Sequence, residues 1–179
     1  MAFEPVVVAT ERLLTSHVFD VERVELRAGT DHFVREVVRH RGAVAVLAYD
    51  GECVTMVRQW RAPLGVAILE VVAGTCDVEG EYLEATARRE LEEEAGLSAA
   101  HLEVLCELWN SPGWSDQRTV VFLATGLTAV AARPSGPEEE AIEVVTMPLA
   151  DAVGVVTSPG ASDATTVAAV LALAARLGP

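Results

Sequence analysis

The residues of this chain best suited to chemistry lie between Gly74 and Leu97, in the run GTCDVEGEYLEATARRELEEEAGL. Glu90, Glu93 and Glu94 stand at i, i+3 and i+4, the spacing that brings side chains onto one face of a helix. Like charges so placed destabilise an isolated helix by roughly 0.2–0.5 kcal/mol per pair, and a bound divalent cation reverses that sign. Hard carboxylate oxygens suit Mg²⁺ or Mn²⁺, which bind through a few carboxylates, water and substrate phosphates. Arg89 adjoins the cluster and is placed to hold one carboxylate in position. Three glutamates alone read more readily as a solvated helix face. The complete pattern changes that balance: Glu81, Arg89-Glu90-Leu91, Glu93-Glu94 and Gly96-Leu97 fit E-x7-R-E-U-x-E-E-x-G-U, with U apolar. At average residue frequencies its six fixed positions recur by chance on the order of once in ten million placements.

The elements around this cluster follow from periodicity and turn chemistry. Leu83, Ala87 and Leu91 form a core stripe at four-residue spacing, so Glu81–Ala95 is expected to be a helix, with Gly96 ending it. The glutamate face is rotated about 100° from Leu91 and so does not point straight into a core. Upstream, Thr10–Phe19, Val21–Leu26 and Phe33–His40 read as strands, with a turn at Ala28-Gly29-Thr30-Asp31. Charges interrupt them with a period near two, which predicts a sheet with one wet face that must lean on the rest of the chain or on a second copy. Ala43–Ala48 is a continuous apolar run, as in a buried strand, and Asp50-Gly51 is a hairpin signal before the returning strand Cys53–Gln59. Further strands are expected at Ile68–Ala73, Leu102–Trp109, Thr119–Thr125 and Ile142–Met147. Loops are expected at Asn110–Gln117 and Arg133–Glu140, and a last helix at Thr165–Leu177. Strands, helix, strands, helix in that order predict a mixed sheet flanked by helices.

Composition narrows the partners. The 179 residues carry 27 Asp and Glu against 13 Lys and Arg, a net charge of −14, which argues against nucleic acid and anionic membranes. A phosphate-bearing substrate then needs metal ions or a local arginine cluster to offset the repulsion. Cys53, Cys76 and Cys106 are odd in number and widely spaced, which disfavours a zinc ribbon or a disulfide framework. The N-terminal residues lack the pattern of a secretory signal, and the longest apolar stretch, Val167–Ala175, is about half of a membrane span. A cytoplasmic protein is the expectation.

The segment resembles the Nudix box, G-x5-E-x7-R-E-U-x-E-E-x-G-U, with one departure: six residues rather than five separate Gly74 from Glu81. The extra residue falls before the helix and leaves the glutamates in register. On this resemblance Glu90, Glu93 and Glu94 match the metal-binding positions, and the backbone carbonyl of Ala73 matches a further ligand in sugar-nucleotide members. Arg89 matches the arginine that orients the cluster. The implied fold is α/β, a Nudix α/β/α sandwich with a mixed sheet. A small antiparallel β region precedes it, with residues 1–41 mediating dimerisation and residues 42–179 forming the hydrolase domain. The implied cofactor is Mg²⁺, with Mn²⁺ as an alternative. The implied reaction is hydrolysis of a nucleoside-diphosphate sugar, with ADP-ribose giving AMP and ribose 5-phosphate.

The same resemblance assigns further residues. Glu93 and Glu94 count among the catalytic carboxylates. Members of the ADP-ribose pyrophosphatase branch place a catalytic glutamate on a loop that here reads Pro137-Glu138-Glu139-Glu140; Glu138 and Glu140 are the candidates, and Glu139 stays open. Pro112 lies sixteen residues past Gly96, within a segment from Ser111 to Gln117 similar to the branch's S-P-G-x-S-x-E loop. Gln117 stands where that loop has Glu, which removes a carboxylate, and Trp114 either stacks on a base or packs. Arg58-Gln59-Trp60-Arg61 resembles the branch's Q-x-R element, in which Arg61 would contact the diphosphate. Arg35-Glu36 match positions that reach the adenine end from a neighbouring subunit, which implies a homodimer. Two alternatives stand beside this reading. One is a Nudix hydrolase of NADH, another nucleotide sugar or a nucleoside triphosphate. The other is a non-catalytic nucleotide sensor; such modules usually lose box glutamates, and all are present here.

Overall fold

The computed structural model describes residues 3–178. The chain divides into two compact units, one formed by the residues up to Gly42 together with Trp109–Arg118, the other by Ala43–Leu108 and Thr119 onward.

The first unit is a three-stranded antiparallel sheet of β1 (Val6–Thr15), β2 (Phe19–Ala28) and β3 (Asp31–His40), in that order. β1 begins four residues earlier than the sequence predicts and stops before Phe19, because the Ser16 hydroxyl donates to Phe19 O and turns the chain there. The segment 109–118 is stitched to β3. Val38 N–H donates to Trp114 O (2.8 Å), Asp116 N–H donates to Val38 O (3.2 Å), and Asp116 Oδ1 accepts from His40 N–H (2.8 Å). Nothing in the local pattern of a turn-rich loop reveals a strand partner seventy residues upstream.

The second unit is a mixed sheet between helices, the α/β class expected. Its strands are β4 (Ala43–Tyr49), β5 (Cys53–Arg61), β6 (Val66–Glu70), β7 (Val72–Thr75), β8 (Leu97–Trp109), β9 (Arg118–Ala129) and β10 (Glu143–Pro148). The order is β10-β5-β4-β9-β8, with β6 on β5 and β7 on β4. β4 runs parallel to β9 and antiparallel to β5 and β7. Its continuous apolar run is buried on both faces, and alternate residues serve two cores. Val44 and Val46 pack with Val72, Val120 and Phe122 against the stripe Ala87, Leu91 and Ala95 of α1 (Leu83–Ala95). Ala45 and Leu47 pack with Met56, Leu69 and Val121 against α3 (Leu149–Val156) and α4 (Ala164–Leu177), through Ala152, Val156, Val170 and Leu173. Leu91 is fully buried, which stabilises the placement of α1 by roughly 1.5–3 kcal/mol relative to an exposed side chain.

Several boundaries differ from the sequence reading for identifiable reasons. α1 starts at Leu83 rather than Glu81; Tyr82 is extended, and the Glu81 side chain is engaged by the Thr86 hydroxyl instead. Gly96 ends α1 in the left-handed region (φ 61°), and β8 begins at the very next residue, five earlier than expected. The single strand expected at Ile68–Ala73 is two strands, because the chain passes from β5 to β4 at Val71, whose N–H donates to the Thr166 hydroxyl instead. The loop before β10 contains one helical turn, α2 (Pro137–Glu140). α3 was not foreseen in the sequence.

Candidate active site

β5, β7, α1 and the segment ending in α2 surround a cavity of about 570 Å³ in the second unit. Arg61, Ala73, Arg89, Glu90, Glu93, Glu94 and Glu138 line it, joined by Gln59, Gly74 and Glu139. The helix brings the three glutamates together as its period requires, and their environments differ. Glu93 is the more open. Glu90 is 7 % exposed and Glu94 8 % exposed, flanking the fully buried Leu91. Glu94 accepts from the N–H of Ala73 (3.2 Å), which ties α1 to β7.

Gly74 explains how Glu90 fits. A Cβ on Gly74 would lie 2.1 Å from Glu90 Cδ and 2.2 Å from its Oε1, so the carboxyl group occupies the space a side chain would fill. Only glycine permits that approach.

Arg89 organises the acidic face. Its Nη1 donates to Glu90 Oε1 (2.7 Å) and Glu93 Oε2 (2.9 Å), and its Nη2 reaches Glu81 Oε2 (3.4 Å). Glu81 also accepts from the Thr86 hydroxyl (2.8 Å), and that bond, with Arg89, holds its carboxyl below the usual range. Arg89 Nε is buried without a partner.

Burial pushes the Glu90 carboxyl up to about 7, against the pull of Arg89, and burial pushes Glu94 up to about 8, against the Ala73 N–H. Near neutral pH both acids hold protons for much of the time unless positive charge arrives. Among the described residues, no three acidic, imidazole or thiol groups converge into a closed cation cage. Arg89 and the Ala73 N–H engage the oxygens instead. The donor set nevertheless fits a divalent ion of the Mg²⁺ type. Such an ion takes only one or two carboxylates and completes its octahedron with water and substrate oxygens. Hard carboxylates and the Ala73 backbone line one cavity, and two of the acids lack sufficient compensating charge.

Arg61, also in the cavity lining, is paired with Glu70 through Nε–Oε1 (2.7 Å) and Nη2–Oε2 (2.5 Å). Arg61 is thus both ion-paired and cavity-lining. Glu139 lines the cavity while its Oε2 accepts from Ser135 N–H, whereas Glu138 is exposed. Glu140 does not line the cavity. Nor does Arg58, which pairs with Glu143 (3.4 Å) across the β5–β10 ladder.

The remaining residues belong to the first unit. Arg35 stacks over the Phe33 ring (4.9 Å) and donates to Val34 O, while Glu36 lies 3.6 Å from Arg23. Pro112, Trp114 and Gln117 lie on the segment bound to β3, and Trp114 is 57 % exposed. Sequence reasoning placed Gln59 within the Q-x-R element but gave it no role, and it passed over Glu70. Both had a signal: Gln59 shares the Arg61 face of a strand by period two, and Glu70 is a lone charge inside the apolar run AILEVVAG.

The NUDIX domain family matches residues 38–169. An ADP-ribose pyrophosphatase of Bacillus subtilis (strain 168) is 40 % identical over 172 residues, covering 94 % of this chain and 92 % of the relative. A methanol dehydrogenase activator of Bacillus methanolicus is 36 % identical over 171 residues, covering 94 % and 91 %. A solved structure described as an ADP compounds hydrolase superposes with a TM-score of 0.85 at 24 % identity, covering 97 % of this chain and 94 % of that one, a likeness of fold.

Proposed function

The chain belongs to the NUDIX domain family, and from that premise we propose that it is a pyrophosphohydrolase that cleaves the diphosphate of ADP-ribose, or of a related nucleoside-diphosphate sugar, to AMP and the sugar phosphate. The supporting observation is the cavity itself: Glu90, Glu93 and Glu94, Ala73, Arg61 and the loop acid Glu138 all line one space. The relative named ADP-ribose pyrophosphatase, similar over nearly the whole chain, supports the substrate.

Glu90, Glu93 and Glu94, with the carbonyl of Ala73, are the residues that would hold divalent cations, Mg²⁺ being the ion proposed and Mn²⁺ a substitute. Bound there, such ions neutralise diphosphate oxygens and make phosphorus more electrophilic. The chain's own residues do the rest. Arg61 meets an anionic oxygen of the diphosphate with the donors that Glu70 leaves free. Glu138, the cavity-lining loop acid not engaged by Ser135, takes the proton of the attacking water. Water oxygen bonds to one phosphorus, the bridging P–O bond breaks, and the displaced phosphate leaves with the bridging oxygen. Arg89 keeps Glu90 and Glu93 on one side of the cavity. On the resemblance, Arg35 and Glu36 are assigned to the adenine end, supplied by a second subunit of a homodimer, and Pro112, Trp114 and Gln117 to substrate binding. Three free cysteines fit a reducing cytoplasm, which cell fractionation would check.

A panel of ADP-ribose, other nucleoside-diphosphate sugars, NADH and nucleoside triphosphates, assayed with Mg²⁺, tests this. ADP-ribose is expected to give the highest kcat/KM, with AMP and ribose 5-phosphate as products. Glu138→Gln is expected to lower kcat by about 10²–10⁴-fold. A preference for triphosphates would overturn the substrate assignment, and an unchanged Glu138→Gln rate the choice of base. The second reading, another nucleotide as substrate, is favoured by Gln117 in place of the branch's acid and by the relative with a different name.

A further inference from the structure

Glu70 is the most conspicuous buried charge that the chemistry above does not use. It is 6 % exposed and does not itself line the cavity, yet Arg61, with which it forms two hydrogen bonds, does. The register shows how unusual the pairing is. Arg61 lies opposite Val66 at one end of the β5–β6 ladder, and Glu70 lies opposite Val57 at the other. Residues 57, 59 and 61 share one face of β5, and 66, 68 and 70 share that face of β6. The two side chains therefore meet only by lying back along the strands, over Gln59 and Ile68. An unanchored arginine at a strand end would extend into water. Glu70 draws this one along the sheet instead.

The fork uses Nε–H and one Nη2–H of Arg61, leaving both hydrogens of Nη1 and the second of Nη2. Pairing with Glu70 raises the Arg61 pKa despite burial, so the group stays charged. A guanidinium held by two parallel bonds has already lost most of its rotamer freedom and offers its outer edge in one direction. Binding an anion then costs little additional ordering.

We propose that Glu70 is a positioning residue that fixes the direction from which Arg61 meets the diphosphate; the inference rests on the function proposed above. A purely structural ion pair would stabilise the sheet without regard to ligand. The test is a double-mutant cycle of Glu70→Gln, Arg61→Ala and the two together. It is read in KM and kcat for ADP-ribose with Mg²⁺, and in calorimetric affinity for inorganic pyrophosphate with Mg²⁺, with folding followed by circular dichroism. With Arg61 present, Glu70→Gln should raise KM and weaken pyrophosphate binding about tenfold, while kcat changes much less. In the Arg61→Ala background the same substitution should change neither. Glu70→Asp, which keeps the charge on a shorter stem, should recover part of the loss. Equal effects in both backgrounds, or an unaltered KM, would overturn the proposal. Should Glu70→Gln fail to fold, Glu70→Asp is compared in the two backgrounds with the same criterion. Failure of the wild-type protein to cleave ADP-ribose would count against the proposed function alone; the pyrophosphate affinities would still decide the role of Glu70.

Discussion

At the scale of single residues, the site depends on close approaches that residue type alone does not convey. Glu90, Glu93 and Glu94 were legible because helical spacing is a local property, and Leu91 between them fixed which way they face. The reason for Gly74 was not legible: Glu90 fills its missing side chain from α1, an element nine residues further on. Glu70 was visible as a lone charge in an apolar run, but its partner, on another strand, was not. The glycine makes a direct prediction. Gly74→Ala must push the Glu90 carboxyl aside, and misplacing a catalytic group by about 1 Å costs roughly 10²-fold in rate. The substitution should therefore lower kcat on that order, with a stability loss of about 1–3 kcal/mol from overpacking. Steady-state kinetics beside thermal unfolding would check it, and wild-type turnover in a folded variant would show that Glu90 need not sit where it does.

Among elements, the sequence was most informative where pattern and burial coincide. β4 read as buried because both its faces are covered, and α1 read as a helix because its stripe and its terminating Gly96 agree. α3 escaped because LADAVGVV is poor in strong helix formers: valines and Gly154 weigh against a helix that packing of Ala152 and Val156 nonetheless secures. The break between β6 and β7 escaped because one apolar run serves two neighbours. β1 raises a different matter. All ten of its residues are exposed, including Val6, Val7, Val8, Leu13 and Leu14, on a three-stranded sheet with little core of its own. The proposed homodimer would cover such a strand. Light scattering at micromolar concentration should then give twice the 19.0 kDa chain mass, and charge placed on β1 by Val7→Lys with Leu14→Lys should favour the monomer. A wild-type monomer would remove the second subunit's Arg35 and Glu36 from the site.

For the molecule as a whole, charge is the constraint that ties the account together. A chain of net charge −14 repels a diphosphate, and its candidate cavity holds more acids than bases. Burial already raises the pKa of two of those acids, Glu90 to about 7 and Glu94 to about 8. Arg61 and Arg89 do not balance that excess: Arg61 already faces Glu70, and Arg89 alone meets Glu90 and Glu93. Divalent cations held by Glu90, Glu93 and Glu94 would supply the missing charge and compete with their protons. The most direct measurement is ADP-ribose cleavage by protein stripped of metal with a chelator and then titrated with Mg²⁺, alongside Glu94→Gln. The wild-type protein should be inactive when stripped and recover on titration, and the folded variant should stay several orders of magnitude slower at saturating Mg²⁺. Full activity in the stripped protein, or a normal rate for the variant, would contradict the account.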